Sequence, residues 1–343
     1  MLGKKMAFEI ASVYTAVIVG AGFVTGRELV SFFLRFGAEA FQGLLLSGAI
    51  MALVGWATLD ICRKMGLTSF DELLKFVAGE YLSPIIKAAT VAMLFVMFVA
   101  MLSAAGALGV QLLGLPEVAG AAAMAMLCFA ALLSNLEGIV KINTMLAPIM
   151  VIGSIVMGVY TYSFDAVEVF AGLRNVITPQ SWVSAAVLYA SYNMITASSI
   201  LAEMGVKSAA SAFWGVLLGA GAVTIIAASM ALGMGRGYEL VQAYPVPFLR
   251  LVQGHGALLT WGYVAVLLSA IFTTAATSAY CFYNQALKYR LRAGKVLMCL
   301  AALLFSQVDF TIIVESVYPS FGLVGLLLGL LIVLTRIMRR TAA

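Results

Sequence analysis

Val19-Gly20-Ala21-Gly22-Phe23-Val24-Thr25-Gly26-Arg27-Glu28 is the stretch that decides how this chain folds. It lies near the middle of an apolar run over 7–36 and puts three glycines into seven residues. Each glycine costs a helix interior about 1 kcal/mol relative to alanine. Two charges follow at once, and a charge at the bilayer centre costs at least about 2.5–3.5 kcal/mol on insertion scales. Two readings stay open here. Gly22 and Gly26 form a GxxxG that suits close helix packing. Alternatively the helix is interrupted, and its freed backbone N–H and C=O groups line a site that satisfies them.

The rest of the chain says what kind of helix this is. Of 343 residues, 63% are hydrophobic and 10% charged, and the mean hydropathy is +1.07. A soluble domain carries about 25% charged residues. A soluble, disordered or disulfide-built protein is excluded, and an all-α polytopic membrane protein is expected. Spanning helices of about 20 residues leave roughly 14 residues per connection if there are ten, too few for a large extramembrane domain. Cys62, Cys128, Cys281 and Cys299 are far apart in apolar runs and read as small hydrophobes. His255 is the only histidine, so a histidine-ligated metal centre is not expected. No HExxH, GxSxG or paired Asp motif is present, so no enzyme is expected.

Apolar runs predict ten spans, at 7–36, 40–63, 83–113, 117–135, 139–162, 180–204, 207–234, 256–288, 294–313 and 317–337. With the N-terminus inside, the outer half holds only Arg27, Arg35, Arg174, Arg236 and Arg250 of the 20 Lys and Arg. The inner side holds the others, from Lys4, Lys5, Arg63 and Lys64 to Lys288, Arg290, Arg292, Arg339 and Arg340. This bias puts both termini on the cytoplasmic side of an inner membrane. The net charge of +5 is then a topology signal rather than a nucleic-acid surface. Residues 68–80 place Phe70, Leu73, Leu74 and Val77 on one face, which predicts a short interfacial helix. Residues 235–255, with Pro245 and Pro247, are expected to fold over the outer entrance.

Five spans fill 1–163 and five fill 180–343, joined by an outside connection at 164–179. An odd number per half means the second half starts on the opposite side, the arithmetic of a 5+5 inverted repeat and of many secondary transporters. The first span of the second half carries a polar, aromatic patch, Tyr189-Ala190-Ser191-Tyr192-Asn193-Met194-Ile195-Thr196-Ala197-Ser198-Ser199. A break is expected there too, paired with the one at Gly20–Gly26.

The stretch VGAGFVTGRELVSFF resembles the first-helix signature of the YkvI-type uncharacterised membrane proteins. These are distant relatives of branched-chain amino acid carriers in the amino acid–polyamine–cation superfamily, with the LeuT-type fold. The resemblance extends to chain length and span count. It implies helices 1 and 6 broken around a midplane substrate site. The family has a polar residue, often glutamine, where this chain has Arg27, which leaves the substrate's identity open.

The resemblance also implies a sodium site between helices 1 and 8. Its ligands would be the carbonyls of Gly20 and Phe23, the carbonyl of Thr274, and the hydroxyls of Thr277 and Ser278. One helical turn separates Thr274 from that hydroxyl pair, so the three can converge on one hard cation, which prefers oxygen. The same hydroxyls could equally bond back to their own helix. A second sodium site would need an Asn on helix 7, and residues 207–234 contain none. The competing reading gives the coupling role to a proton carried by Glu28, or makes Glu28 a structural hydrogen-bonding partner. Lys141, near the inner face, reads as an anchor.

The expected function is therefore secondary active transport by alternating access, sodium-coupled, of an amino acid or similar small zwitterion. Its carboxylate would rest on the N–H groups of Gly22, Phe23 and Val24, with Ala21 and Thr25 beside them. Its amino group would meet carbonyls around Tyr189 and Tyr192. Asn193 and Thr196 would shape the pocket, with Phe98 or Ser103 of helix 3 nearby, and Arg27 would favour an anionic substrate. Sodium is the expected coupling ion, with no other cofactor. The partners are the lipid bilayer and a small molecule, with no nucleic acid. A ligand sensor resembling spore germinant receptor subunits is the alternative from another class.

Overall fold

The structure, a computed structural model, describes residues 2–164, 181–235, 244–287 and 294–338. The connection expected at 164–179 lies, from 165 on, outside the described residues. So do Arg174, Arg236, Lys288, Arg290, Arg292, Arg339 and Arg340.

The described residues are built of helices. The apolar run at the N-terminus becomes α1 (Leu2–Ile18), α2 (Ala21–Val24) and α3 (Arg27–Phe32). A 3₁₀ segment, Leu34–Glu39, leads to α4 (Ala40–Met65). Then come α5 (Phe70–Leu113), α6 (Glu117–Leu132), α7 (Leu136–Phe164), α8 (Trp182–Leu201) and α9 (Ala209–Gly235). A short helix, α10 (Pro247–Gln253), precedes α11 (Ala257–Phe282), which ends in a π turn at Tyr283–Leu287. Last are α12 (Gly294–Phe305), α13 (Phe310–Ile312), a π turn at Ile313–Val317 and α14 (Tyr318–Met338).

Among the described residues, 6 helices are long and apolar enough to cross a bilayer. They fall within Leu34–Met65, Phe70–Leu113, Leu136–Tyr162, Ala209–Gly235, Ala257–Ala286 and Phe310–Met338. The other apolar segments are shorter, interrupted or, in the 20 residues of α8, more polar. At 1.5 Å per residue, the 16 residues of α6 span about 24 Å and the 12 of α12 about 18 Å, against a hydrocarbon core of about 30 Å.

Local signals account for the boundaries. Ser69 caps α5 by accepting the Glu72 N–H at 3.2 Å. Phe70, Leu73, Leu74 and Val77 are buried on the face read as interfacial. That first stretch meets the long apolar part of α5 at Gly79, whose φ of 71° turns the backbone where a side chain would be strained. The ninth span ends at Phe305, earlier than the expected 313. Asp309 starts a new helix instead by accepting the Thr311 N–H at 2.7 Å, an N-cap within the run that hydropathy alone had joined.

The sixth span departs from expectation in a second way. α8 is a regular helix from Trp182 to Leu201, with no break at Tyr189–Thr196. Its polar groups bond back within the helix. Asn193 Nδ2 donates to the Tyr189 carbonyl at 2.9 Å, Thr196 Oγ1 to Asn193 at 2.9 Å and Ser199 Oγ to Thr196 at 2.7 Å. Such back-bonding satisfies a polar side chain in an apolar setting without unwinding the backbone. The correction leaves helix 1 as the interrupted one of the pair.

The first helix threads the middle. α1 packs on α9, α7, α8 and α11. α8 lies between α4 and α14, while α11 packs on α5 and α7. The interruption at Gly20–Gly26 is therefore surrounded by protein, as non-helical backbone at membrane depth must be.

Candidate functional site

The first helix breaks twice. At the first break Val19 N–H still reaches the Thr15 carbonyl at 2.7 Å, but Gly20 N–H turns back to Ile18 at 2.9 Å. α2 is then a single turn. At the second break Gly26 adopts φ 84°, with the Met234 thioether occupying the place a Cβ would take. The freed groups find partners on other helices. Ala21 N–H faces Met101 Sδ at 3.4 Å, Val24 C=O accepts the Tyr263 hydroxyl at 2.5 Å, and Thr25 C=O accepts the Phe248 N–H at 2.9 Å. Phe248 belongs to α10, in the connection expected to cover the entrance. It is fully buried, with its ring 5.2 Å from that of Tyr263.

Arg27 and Glu28 are neighbours in sequence and point to different partners, since successive helix residues do not face one another. Arg27 Nη2 meets Glu315 Oε1 at 2.6 Å, and Ser31 Oγ lies 3.4 Å from the same oxygen. This ties α3 to the turn that opens the last span. Glu28 folds back over the break, and its carboxyl fills the space a Cβ at Gly22 would need. The hydroxyls of Tyr189 and Tyr192 are turned towards that carboxyl. Neither closes a well-formed hydrogen bond, and Glu28 Oε2 and the Tyr189, Tyr192 and Tyr318 hydroxyls are buried without a partner. Leaving such a group unsatisfied costs about 1–3 kcal/mol, more for a charged one.

Aromatic rings enclose this carboxyl. Phe32 sits 5.5 Å from Tyr189 and 5.7 Å from Tyr192, Tyr189 is 5.4 Å from Tyr192, and Tyr192 is 5.1 Å from Tyr318. Phe33 closes on Tyr189 at 4.9 Å. All five rings are buried.

The residues expected to hold a cation are also adjacent to the break. The Thr274 side chain packs against Gly20, and its hydroxyl donates to the Ala16 carbonyl at 2.8 Å. Thr277 Oγ1 accepts from Asn143 Nδ2 at 3.0 Å, and Ser278 is buried. Asn143 Oδ1 is buried without a partner. The carbonyls of Gly20 and Phe23 each accept a backbone N–H, from Val24 at 2.9 Å and Gly26 at 3.0 Å. A carbonyl has a second lone pair, so both oxygens can still accept a further partner.

Other expected residues are placed differently. Val24 N–H is engaged with Gly20, whereas Gly22 and Phe23 N–H groups meet no backbone carbonyl among the described residues. Phe98 is fully buried, one turn from Met101, on the side of α5 that faces α2. Ser103 is turned away, donating to the Val308 carbonyl at 2.8 Å. Asn193 and Thr196 bond within α8.

A cavity of about 1020 Å³ opens on the face that carries the chain's N-terminal residues. Lys5, Glu9, Glu137, Lys141, Thr144 and Tyr280 line it. Tyr280 lies one turn from Thr277 on the same helix.

No family model matches the chain. In sequence it is similar to the uncharacterised membrane protein YkvI of Bacillus subtilis, 28% identical over 94% of each chain. In structure it is similar to a Na+-coupled sialic acid symporter in a substrate-bound, outward-open state. That match has a TM-score of 0.63 and 14% identity, and covers 95% of this chain and 77% of the other. A mutant manganese transporter of Eremococcus coleocola matches with a TM-score of 0.60 and 16% identity, over 96% of this chain and 75% of the other. The fold is that of these transporters.

Within this transporter fold, sequence reading missed Glu315, Tyr318, Phe32 and Phe33. Glu315 lies just ahead of the tenth apolar run as read, and nothing near it in sequence points to Arg27. The rings come from three elements, and no spacing within one segment gathers them.

Proposed function

We propose that this chain is a secondary active transporter that moves an amino acid or similar small zwitterion by alternating access, coupled to sodium. Ten passes in two inverted sets of five, with the N-terminal face cytoplasmic, belong to the same reading. The observation that carries it is the asymmetry around the interrupted helix. One side of the break is sealed by Arg27 on Glu315 and by Phe248 on Thr25. Towards the other side lies the cavity lined by Lys141, Thr144 and Tyr280, the last one turn from Thr277. A helix break sealed towards one face, with a cavity on the other, suits a carrier in one of its end states. A channel would need a path open to both.

Sodium is supported by the grouping of Gly20, Thr274, Thr277 and Ser278 at the break, and by a Na+-coupled symporter among the structures of this fold. One charge crossing about 100 mV supplies roughly 2.3 kcal/mol, enough for a nearly fifty-fold gradient. The test is uptake of radiolabelled amino acids into proteoliposomes under imposed gradients. Accumulation driven by inward sodium supports the proposal. Accumulation driven by pH and indifferent to sodium moves the coupling role to Glu28. Uptake that ignores both gradients, or none across the panel, overturns the proposal.

A further inference from the structure

We propose that Glu28, Tyr189, Tyr192, Tyr318 and Phe32 form a chamber that binds a compact ammonium group of the transported molecule. The inference rests on the transporter reading and names the chemistry that reading leaves open.

The Glu28 carboxyl and the hydroxyls of Tyr189 and Tyr192 face one another here without closing a well-formed hydrogen bond, and the Tyr318 hydroxyl beside them has no partner. Buried polar groups are nearly always well paired, and a cluster this poorly satisfied calls for a further occupant. The only full charge in the cluster is the carboxylate, and Arg27, the nearest base in sequence, is committed to Glu315. The missing partner is therefore positive. Rings 5.1–5.7 Å apart around the carboxyl add π systems that attract a cation.

The lining also selects the kind of cation. A hard divalent ion seeks six or more oxygens, and this chamber offers one carboxyl and neutral phenols among hydrocarbon rings. A guanidinium seeks a planar, bidentate fork. An ammonium is compact. It can donate to a carboxylate and to phenol oxygens, and its C–H or N–H surface suits aromatic faces. This assigns Glu28 the substrate's amine directly, in place of backbone carbonyls on an unwound helix 6, which α8 does not provide.

The test uses purified full-length protein and four probes, methylammonium, tetramethylammonium, neutral tert-butanol and acetate, with melting temperature as the readout. Both cations are expected to stabilise the protein saturably, and tert-butanol and acetate are not. Glu28→Gln is expected to weaken cation binding roughly thirtyfold or more, the usual scale for removing one partner of a buried charge pair. Tyr318→Phe keeps the ring and is expected to weaken methylammonium, which donates hydrogen bonds, more than tetramethylammonium. If Glu28→Gln yields no melting transition, Tyr192→Leu decides by the same loss. Stabilisation by tert-butanol equal to that by the cations, no response to the cations in the wild type, or cation binding unchanged in the deciding variant overturns the proposal. Counterflow in proteoliposomes separates this outcome from the broader one. Cation binding without counterflow of any probe removes the transporter reading and leaves the chamber. Counterflow of a substrate with no cationic group does the reverse.

Discussion

Arg27 reaches across 288 residues of chain to Glu315, with Nη2 and Oε1 2.6 Å apart. The bond joins the short helix after the break to the turn that opens the last span. Arg27 is buried, whereas the Glu315 side chain keeps 37% of its surface exposed. Solvent therefore screens the pair in part, and its worth falls between that of an exposed pair and a buried one, about 1–2 kcal/mol.

This gives a first prediction, read by a double-mutant cycle. Arg27→Gln and Glu315→Gln each lower the melting temperature of the purified protein, and the double variant falls little below Arg27→Gln alone. Strictly additive losses would show that the two residues do not depend on one another.

Gly22→Ala puts a methyl group where the Glu28 carboxyl lies. The carboxyl must move, at an expected cost of about 1–3 kcal/mol for overpacking. The predicted outcome is a folded protein that has lost uptake. Wild-type uptake in Gly22→Ala would show that the seat of Glu28 on Gly22 has no part in transport.

Sodium binding to the native state raises stability by about 2.7 kcal/mol when sodium is a hundredfold above its dissociation constant. A sodium-dependent rise in melting temperature is predicted for the wild type. It vanishes in Thr277→Ala and Ser278→Ala, and is weakened in Asn143→Ala, whose amide holds Thr277 at 3.0 Å. A rise that persists unchanged in all three places sodium elsewhere.

Phe248 is fully buried between the break and Tyr263. Phe248→Ala removes a large core ring, a change that typically costs about 3–5 kcal/mol. Here the loss falls on the closed state in particular. The variant is predicted to admit a water-soluble thiol reagent to a cysteine placed at Val246 beside it, where the parent does not. Equal protection in both would show that α10 does not seal this face.

Much of this was legible in the sequence, because the sequence states costs. Three glycines and two charges inside an apolar run announce a place where a helix stops, and Gly20, Gly22 and Gly26 sit at that interruption. The patch at Tyr189–Ser199 announced a similar cost, yet Asn193, Thr196 and Ser199 meet it by bonding one turn back, which spacing alone cannot distinguish from unwinding. The ninth helix stops at Phe305 and Asp309 caps the next one, an N-cap that a run of apolar residues does not announce. Glu315, Tyr318 and Phe32 reach the site only through tertiary packing, so no local pattern could reveal them.

Alternating access is the centre of the account, and paired cysteine accessibility in proteoliposomes tests it most directly. The native cysteines are buried and unbonded, and are first replaced by serine or alanine. Thr144→Cys lies on the open cavity, and Val246→Cys lies under the sealed face. An impermeant maleimide is predicted to label position 144 from the N-terminal side and to leave position 246 unlabelled in the state described. Conditions that expose position 246 to the opposite side are predicted to protect position 144. Simultaneous labelling of both positions, or labelling of each regardless of the other, would contradict a carrier with one site open to one side at a time.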